Sequence, residues 1–63
     1  MIKLTRLNGS ELVINIDSIE FVEATPDSVI STVSGKKIVV TDTVDEIIDK
    51  VIKFKQAISI IKH

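Results

Sequence analysis

Between Ile19 and Val40 the chain reads IEFVEATPDSVISTVSGKKIVV, and two turn signals divide this stretch into three short β-strands. The first signal is Thr25-Pro26-Asp27-Ser28. Its proline presets φ for the second position of a type I turn, and Asp27 is well suited to the third. The second is Val33-Ser34-Gly35-Lys36. The strands on either side of these turns are expected at residues 19–24, 28–33 and 36–41. Pairing of the last two is open from sequence, because Ile30 with Ile38 and Val29 with Val40 are both sensible partners.

A hairpin is expected before this stretch. Ile2–Leu7 and Leu12–Ile16 flank Asn8-Gly9, a strong hairpin dipeptide that permits two registers. A two-residue type I′ loop would place Leu12 and Ile14 on the same face as Lys3 and Thr5. A type I turn with Gly9 as a left-handed bulge residue instead sets Leu4 opposite Leu12 and Ile2 opposite Ile14. The second register gathers the apolar side chains on one face, and it is the one expected.

After the strands the period changes from two to about 3.6. Val44, Ile47, Ile48, Val51, Phe54, Ile58 and Ile61 recur at three- and four-residue spacing, predicting one apolar helix stripe against the sheet. Thr43-Val44-Asp45-Glu46 matches a capping box at the helix start. Asp42, Asp45 and Glu46 suit the positive end of the helix dipole. Asp49 and Lys53 form an i,i+4 pair in the favourable order. The resulting fold class is α+β: a small five-stranded antiparallel sheet or partial barrel followed by one C-terminal α-helix.

Sixty-three residues accommodate one domain, with a β-meander over residues 2–41 and a helix over 43–63. A chain of this length buries only about 60% of its unfolded surface. Two features point beyond a monomer. A helix reaching His63 is about 30 Å long, whereas strands of six residues span about 20 Å; the overhang carries Ile58, Ile60 and Ile61. Adjacent apolar residues such as Phe21-Val22, Val29-Ile30 and Ile38-Val39-Val40 also give both sheet faces apolar character, and one helix covers one face. A homo-oligomer is therefore expected.

Catalytic chemistry finds little support. The chain has no cysteine and one histidine, His63, which is terminal and read as inert. Disulfides, thiolate chemistry and multi-His metal sites are excluded. Glu20 and Glu23 read as solvated strand positions. Gly35-Lys36-Lys37 lacks the glycine spacing and following helix of a phosphate loop. No cofactor and no small-molecule substrate are expected. With a formal charge of −1 and two aromatic residues, neither electrostatic attraction to nucleic acid nor a stacking platform is prominent. Lys36, Lys37, Lys50, Lys53, Lys55 and Lys62 would form a basic patch only if the helix lay beside the last hairpin. No segment reaches the roughly 20 apolar residues of a membrane span, and the N-terminus lacks a signal-peptide pattern, so a cytoplasmic location is expected. A protein-binding module is the leading class. Its candidate contact residues are Ile58, Ile60 and Ile61 on the helix tail and Lys36 and Lys37 at the last hairpin. Asn8, Gly9, Pro26, Asp27, Gly35 and Thr43 are read as turn and cap residues.

The opening Ile2-Lys3-Leu4-Thr5-Arg6-Leu7-Asn8-Gly9, the centre Ile19-Glu20-Phe21-Val22-Glu23-Ala24-Thr25-Pro26-Asp27, the run Gly35-Lys36-Lys37-Ile38-Val39-Val40 and the helix start Val44-Asp45-Glu46-Ile47-Ile48 together resemble the FlbD family of small bacterial flagellar proteins, called SwrD in one branch. The resemblance runs from Ile2 to about Lys55. Ser10 departs from it, standing where the family carries a charged residue. It implies a cytoplasmic accessory of flagellar motility linked to motor power and swarming, with no catalytic residue or cofactor. It also implies a partner at the flagellar motor or basal body, the stator included.

An alternative resemblance is to the carbon storage regulator, a small RNA-binding regulator, through Ile2-Lys3-Leu4-Thr5-Arg6 and the order of strands then helix. That family carries an RNA-contacting arginine just before its helix. Here the stretch is Thr41-Asp42-Thr43, which argues against RNA binding. A fainter likeness of residues 19–24 to the LytTR DNA-binding domain is opposed by the short chain and its scarcity of arginine.

Overall fold

A computed structural model describes residues 1–24 and 27–61, with the helix side chains described as far as Ile58. The elements follow one another as β1 (Ile2–Thr5), β2 (Glu11–Ile14), a 3-10 turn (Ile16–Ser18), β3 (Ile19–Ala24), β4 (Ser28–Thr32), β5 (Lys37–Val40) and α1 (Val44–Ile61). The five strands are antiparallel and lie in two small sheets, β1–β2 and β3–β4–β5. A bridge between Arg6 and Val40 joins the two. Around it the Thr41 N–H donates to the Thr5 carbonyl at 2.8 Å and the Leu7 N–H to the Val39 carbonyl at 3.3 Å. Pro26 lies outside the described residues, and Asp27 is an exposed bend residue before β4.

The first hairpin takes the bulged register. Ile2 faces Ile14 and Leu4 faces Leu12. The Arg6 N–H donates to the Ser10 carbonyl and the Gly9 N–H to the Arg6 carbonyl, each at 2.9 Å. Gly9 has φ +90°, a conformation that costs a residue with a Cβ about 1–2 kcal/mol. The Asn8 side-chain oxygen accepts from the backbone and hydroxyl of Ser10 and closes the turn. In the last hairpin Ile30 faces Ile38 and Val29 faces Val39, which resolves the open register. Gly35 has φ +91°, and the buried Thr32 Oγ1 accepts from the Lys36 N–H at 3.1 Å.

One irregularity shapes the inner face. Between β3 and β4, Ile19 pairs with Thr32 but Phe21 pairs with Ser31, leaving Glu20 as the extra residue of a bulge. Strict alternation would put Ile19 and Val22 on opposite faces. The bulge resets the alternation, so both pack against the core while Phe21 turns outward, 58% exposed.

The core comprises Ile2, Leu4, Ile14, Ile30, Val40 and Ile47, with Leu12, Ile16, Ile19, Val22, Ile38, Val51 and Phe54 packed around it. Ile47 joins helix to strands. The helix start carries the reciprocal cap: the Glu46 N–H donates to Thr43 Oγ1 at 3.1 Å, and the Thr43 N–H to Glu46 Oε1 at 2.8 Å. The Asp49–Lys53 pair closes at 3.0 Å on an exposed face, where such pairs contribute about 0.3–0.5 kcal/mol.

The expected single stripe is narrower in the structure. Ile47, Val51 and Phe54 turn inward and Val44 is half-buried, but Ile48 is 49% exposed and Ile58 is 38% exposed. At about 100° per residue, Ile48 falls on the flank of the line through Ile47 and Val51, and the short strands do not extend far enough to cover it. Ile52, outside the expected stripe, is also 49% exposed. The side chains of Ile60 and Ile61 lie outside the described residues.

Candidate functional site

The β5–α1 turn is fixed by a polar cluster. Asp42 Oδ1 accepts from the Thr5 N–H at 2.7 Å, and Asp42 Oδ2 accepts from Lys50 Nζ at 2.9 Å. The same Nζ donates to the Lys3 carbonyl at 2.6 Å. Burial alone would push the Asp42 carboxyl up. The Lys50 hydrogen bond, the Thr5 N–H and the Lys50 charge outweigh it and hold the group below its ordinary value of 3.8. This cluster ties α1 to β1 and is structural. It also occupies the place before the helix where the RNA-binding resemblance would require an arginine.

Among the described residues, two apolar surfaces lie outside the core. One is a cleft of about 270 Å³ between α1 and the 3-10 turn with β3, lined by Ile16, Ile19, Val22, Ile48, Val51 and Ile52, with Asp17 and Lys55 at its edge. It shares Ile16, Asp17 and Lys55 with a hollow of about 420 Å³ formed by Met1, Asn15, Phe54 and Ile58. Together they make a groove along the strand-facing flank of the helix, and Ile58 contributes to its far end. The Asn15 side chain accepts from the Asp17 N–H at 3.0 Å and fixes the turn that forms one wall.

The second surface is the outer side of the strands. Phe21, Val33 and Val39 are exposed on β3–β4–β5 and its turn, and Val13 and Leu7 on the first hairpin. A shallow depression of about 330 Å³ where β1 meets β5 is lined by Arg6, Leu7, Asn8, Lys37, Ile38 and Val39. Lys37 shares a cross-strand row with Ser31 and Phe21, and Lys36 precedes it in the turn, exposed. The lysines of the hypothetical basic patch are divided. Lys50 and Lys53 are each paired with a carboxylate, and Lys62 lies outside the described residues. Glu20 and Glu23 are both exposed, and Glu23 faces Val29 across the sheet. His63 lies outside the described residues. Among the described residues no cluster of three His, Cys, Asp or Glu side chains could hold a metal ion. No helix among them is long and apolar enough to cross a membrane.

The model of the FlbD family, described as flagellar and swarming motility proteins, matches residues 1–59, which is nearly the whole chain. The chain belongs to the FlbD family. This is a motility family and not a known enzyme family. No curated protein and no solved structure matches this FlbD-family chain. The matched span takes in both apolar surfaces, together with the turn and cap residues Asn8, Gly9, Asp27, Gly35 and Thr43.

Sequence reasoning places the contact candidates on the helix tail, at Ile58, Ile60 and Ile61, and at Lys36 and Lys37 of the last hairpin. It does not single out Ile52, Arg6, Leu7 or Val39. The groove depends on the Glu20 bulge, which brings Ile19 and Val22 to one face. The depression depends on the Arg6–Val40 bridge. Both are tertiary pairings without a local sequence signal.

Proposed function

We propose that this chain is a non-enzymatic, cytoplasmic accessory of the flagellar motor that supports motor power and swarming through protein contacts, with the stator as its leading partner. The family match over residues 1–59 is the observation that carries this reading. The geometry supports contact rather than catalysis, since the exposed apolar surfaces lack a convergent nucleophile, base and orienting group among the described residues. The surface assigned to the motor partner is the depression where β1 meets β5. Its apolar floor of Leu7 and Val39, bordered by Arg6 and Lys37, is complementary to a protein surface presenting carboxylates around an apolar side chain.

The test is complementation of a strain lacking the gene. Arg6→Glu combined with Lys37→Glu changes two exposed side chains outside the core, so the variant retains its circular dichroism spectrum and accumulates normally. It is expected to leave swarming at or near the level of the deletion. Full swarming by a normally accumulated variant would overturn docking at this depression.

A further inference from the structure

We infer that the exposed helix flank at Ile48 and Ile52 is a self-association surface, on which a second copy of this chain packs its own helix antiparallel about a two-fold axis. The argument is geometric and electrostatic. Ile48 and Ile52 are each 49% exposed, and at about 100° per residue both fall within about 20° of one line along the helix. Asp45 and Lys55 fall within about 40° of the same line, one at each end, and both are exposed. Among the described residues neither has an ion-pair partner within the chain.

These four positions are symmetric about residue 50. An antiparallel two-fold through that point sets Ile48 opposite the partner's Ile52 and Asp45 opposite the partner's Lys55, and the symmetry repeats both contacts. An isologous interface requires such self-complementarity. A parallel arrangement in register would set Asp45 against the partner's Asp45 and Lys55 against the partner's Lys55. The wider charge distribution of the helix agrees: Asp45, Glu46 and Asp49 lie in its first half, where Lys50 is paired with Asp42, and Lys53 and Lys55 lie in its second. Antiparallel packing also opposes the two helix dipoles favourably. The partner's Ile52 then meets Ile48 at the border of the cleft formed with Ile19 and Val22. The contact is a helix flank rather than a whole sheet face, so the dimer is small and reversible.

This inference is independent of the motor reading, because its test is made on the purified chain. Sedimentation equilibrium of the full chain, followed over a wide concentration range, is expected to show a monomer–dimer equilibrium. Ile52→Glu, at a half-exposed position, is expected to give monomer throughout. Asp45→Lys alone and Lys55→Asp alone are each expected to weaken the dimer by about tenfold or more through like-charge contact. The double variant Asp45→Lys/Lys55→Asp is expected to recover it. Recovery distinguishes the antiparallel interface from a loss of folding, even if Ile52→Glu proves unstable. A native chain that stays monomeric at every concentration would overturn the inference. So would a dimer indifferent to both charge reversals, which would move association to another face.

Discussion

Ile47→Ala is expected to unfold most of the protein at growth temperature. Ile47 is 1% exposed and, among the described residues, is the one helix residue in the fully buried cluster with Leu4, Ile30 and Val40. Truncating such a side chain removes about 2–5 kcal/mol, part from lost transfer energy and part from the cavity left behind. A core of this size supplies a net stability of only about 3–5 kcal/mol. The two quantities are comparable, so one substitution suffices. Thermal melts followed by circular dichroism check it: the native transition should be absent or displaced far downward. Ile52→Ala is the control, since its half-exposed side chain should cost about 1 kcal/mol or less. Equal melts for the two variants would mean that the helix is not held through Ile47.

Asp42→Ala is expected to produce the next largest loss, about 2–3 kcal/mol. Its carboxylate, with the side chain 10% exposed, receives both the Thr5 N–H and Lys50 Nζ. The Lys50 side chain is 39% exposed, so solvent screens the ionic part. The larger share belongs to the part-buried Thr5 N–H, which loses its acceptor. The same carboxylate gives stability a direction in pH. Its folded value is depressed below 3.8, so its contribution is fully present above the unfolded value. It is lost as pH falls through the depressed folded value, because the unfolded chain takes up the proton first. Urea denaturation midpoints should therefore fall below about pH 4 in the native chain, and fall less steeply in Asp42→Ala. Parallel pH profiles for the two proteins would contradict the role assigned to Asp42.

The parts of the fold legible from sequence are those with local causes. Asn8-Gly9 and the apolar alternation on either side determine the first hairpin. Thr43 and Glu46 mark the helix start, and the 3.6-residue period marks its inward line. The β4–β5 register could not be read from local pattern, since Val29 and Ile30 are both apolar. It is resolved by burial of Ile30, which is 0% exposed, opposite Ile38. The Glu20 bulge was not legible for a related reason: Phe21-Val22 offers two apolar residues, and only packing against the helix selects Val22. Ile48 and Ile52 show the limit most clearly. Periodicity identifies the apolar residues of a helix, but the width of the sheet determines which of them are covered. Lys50 likewise reads as one lysine of a conditional basic patch until the fold brings Asp42 and the Lys3 carbonyl to it.

The motor reading has a direct test in the torque of single motors. Cells lacking the gene would be stained to count flagella, and the rotation of beads attached to their filaments recorded under load. Normal flagellar number with reduced torque, restored by the native chain, is the result predicted for an accessory acting at the stator. Missing or stunted flagella, or full torque in the absence of the protein, would contradict it.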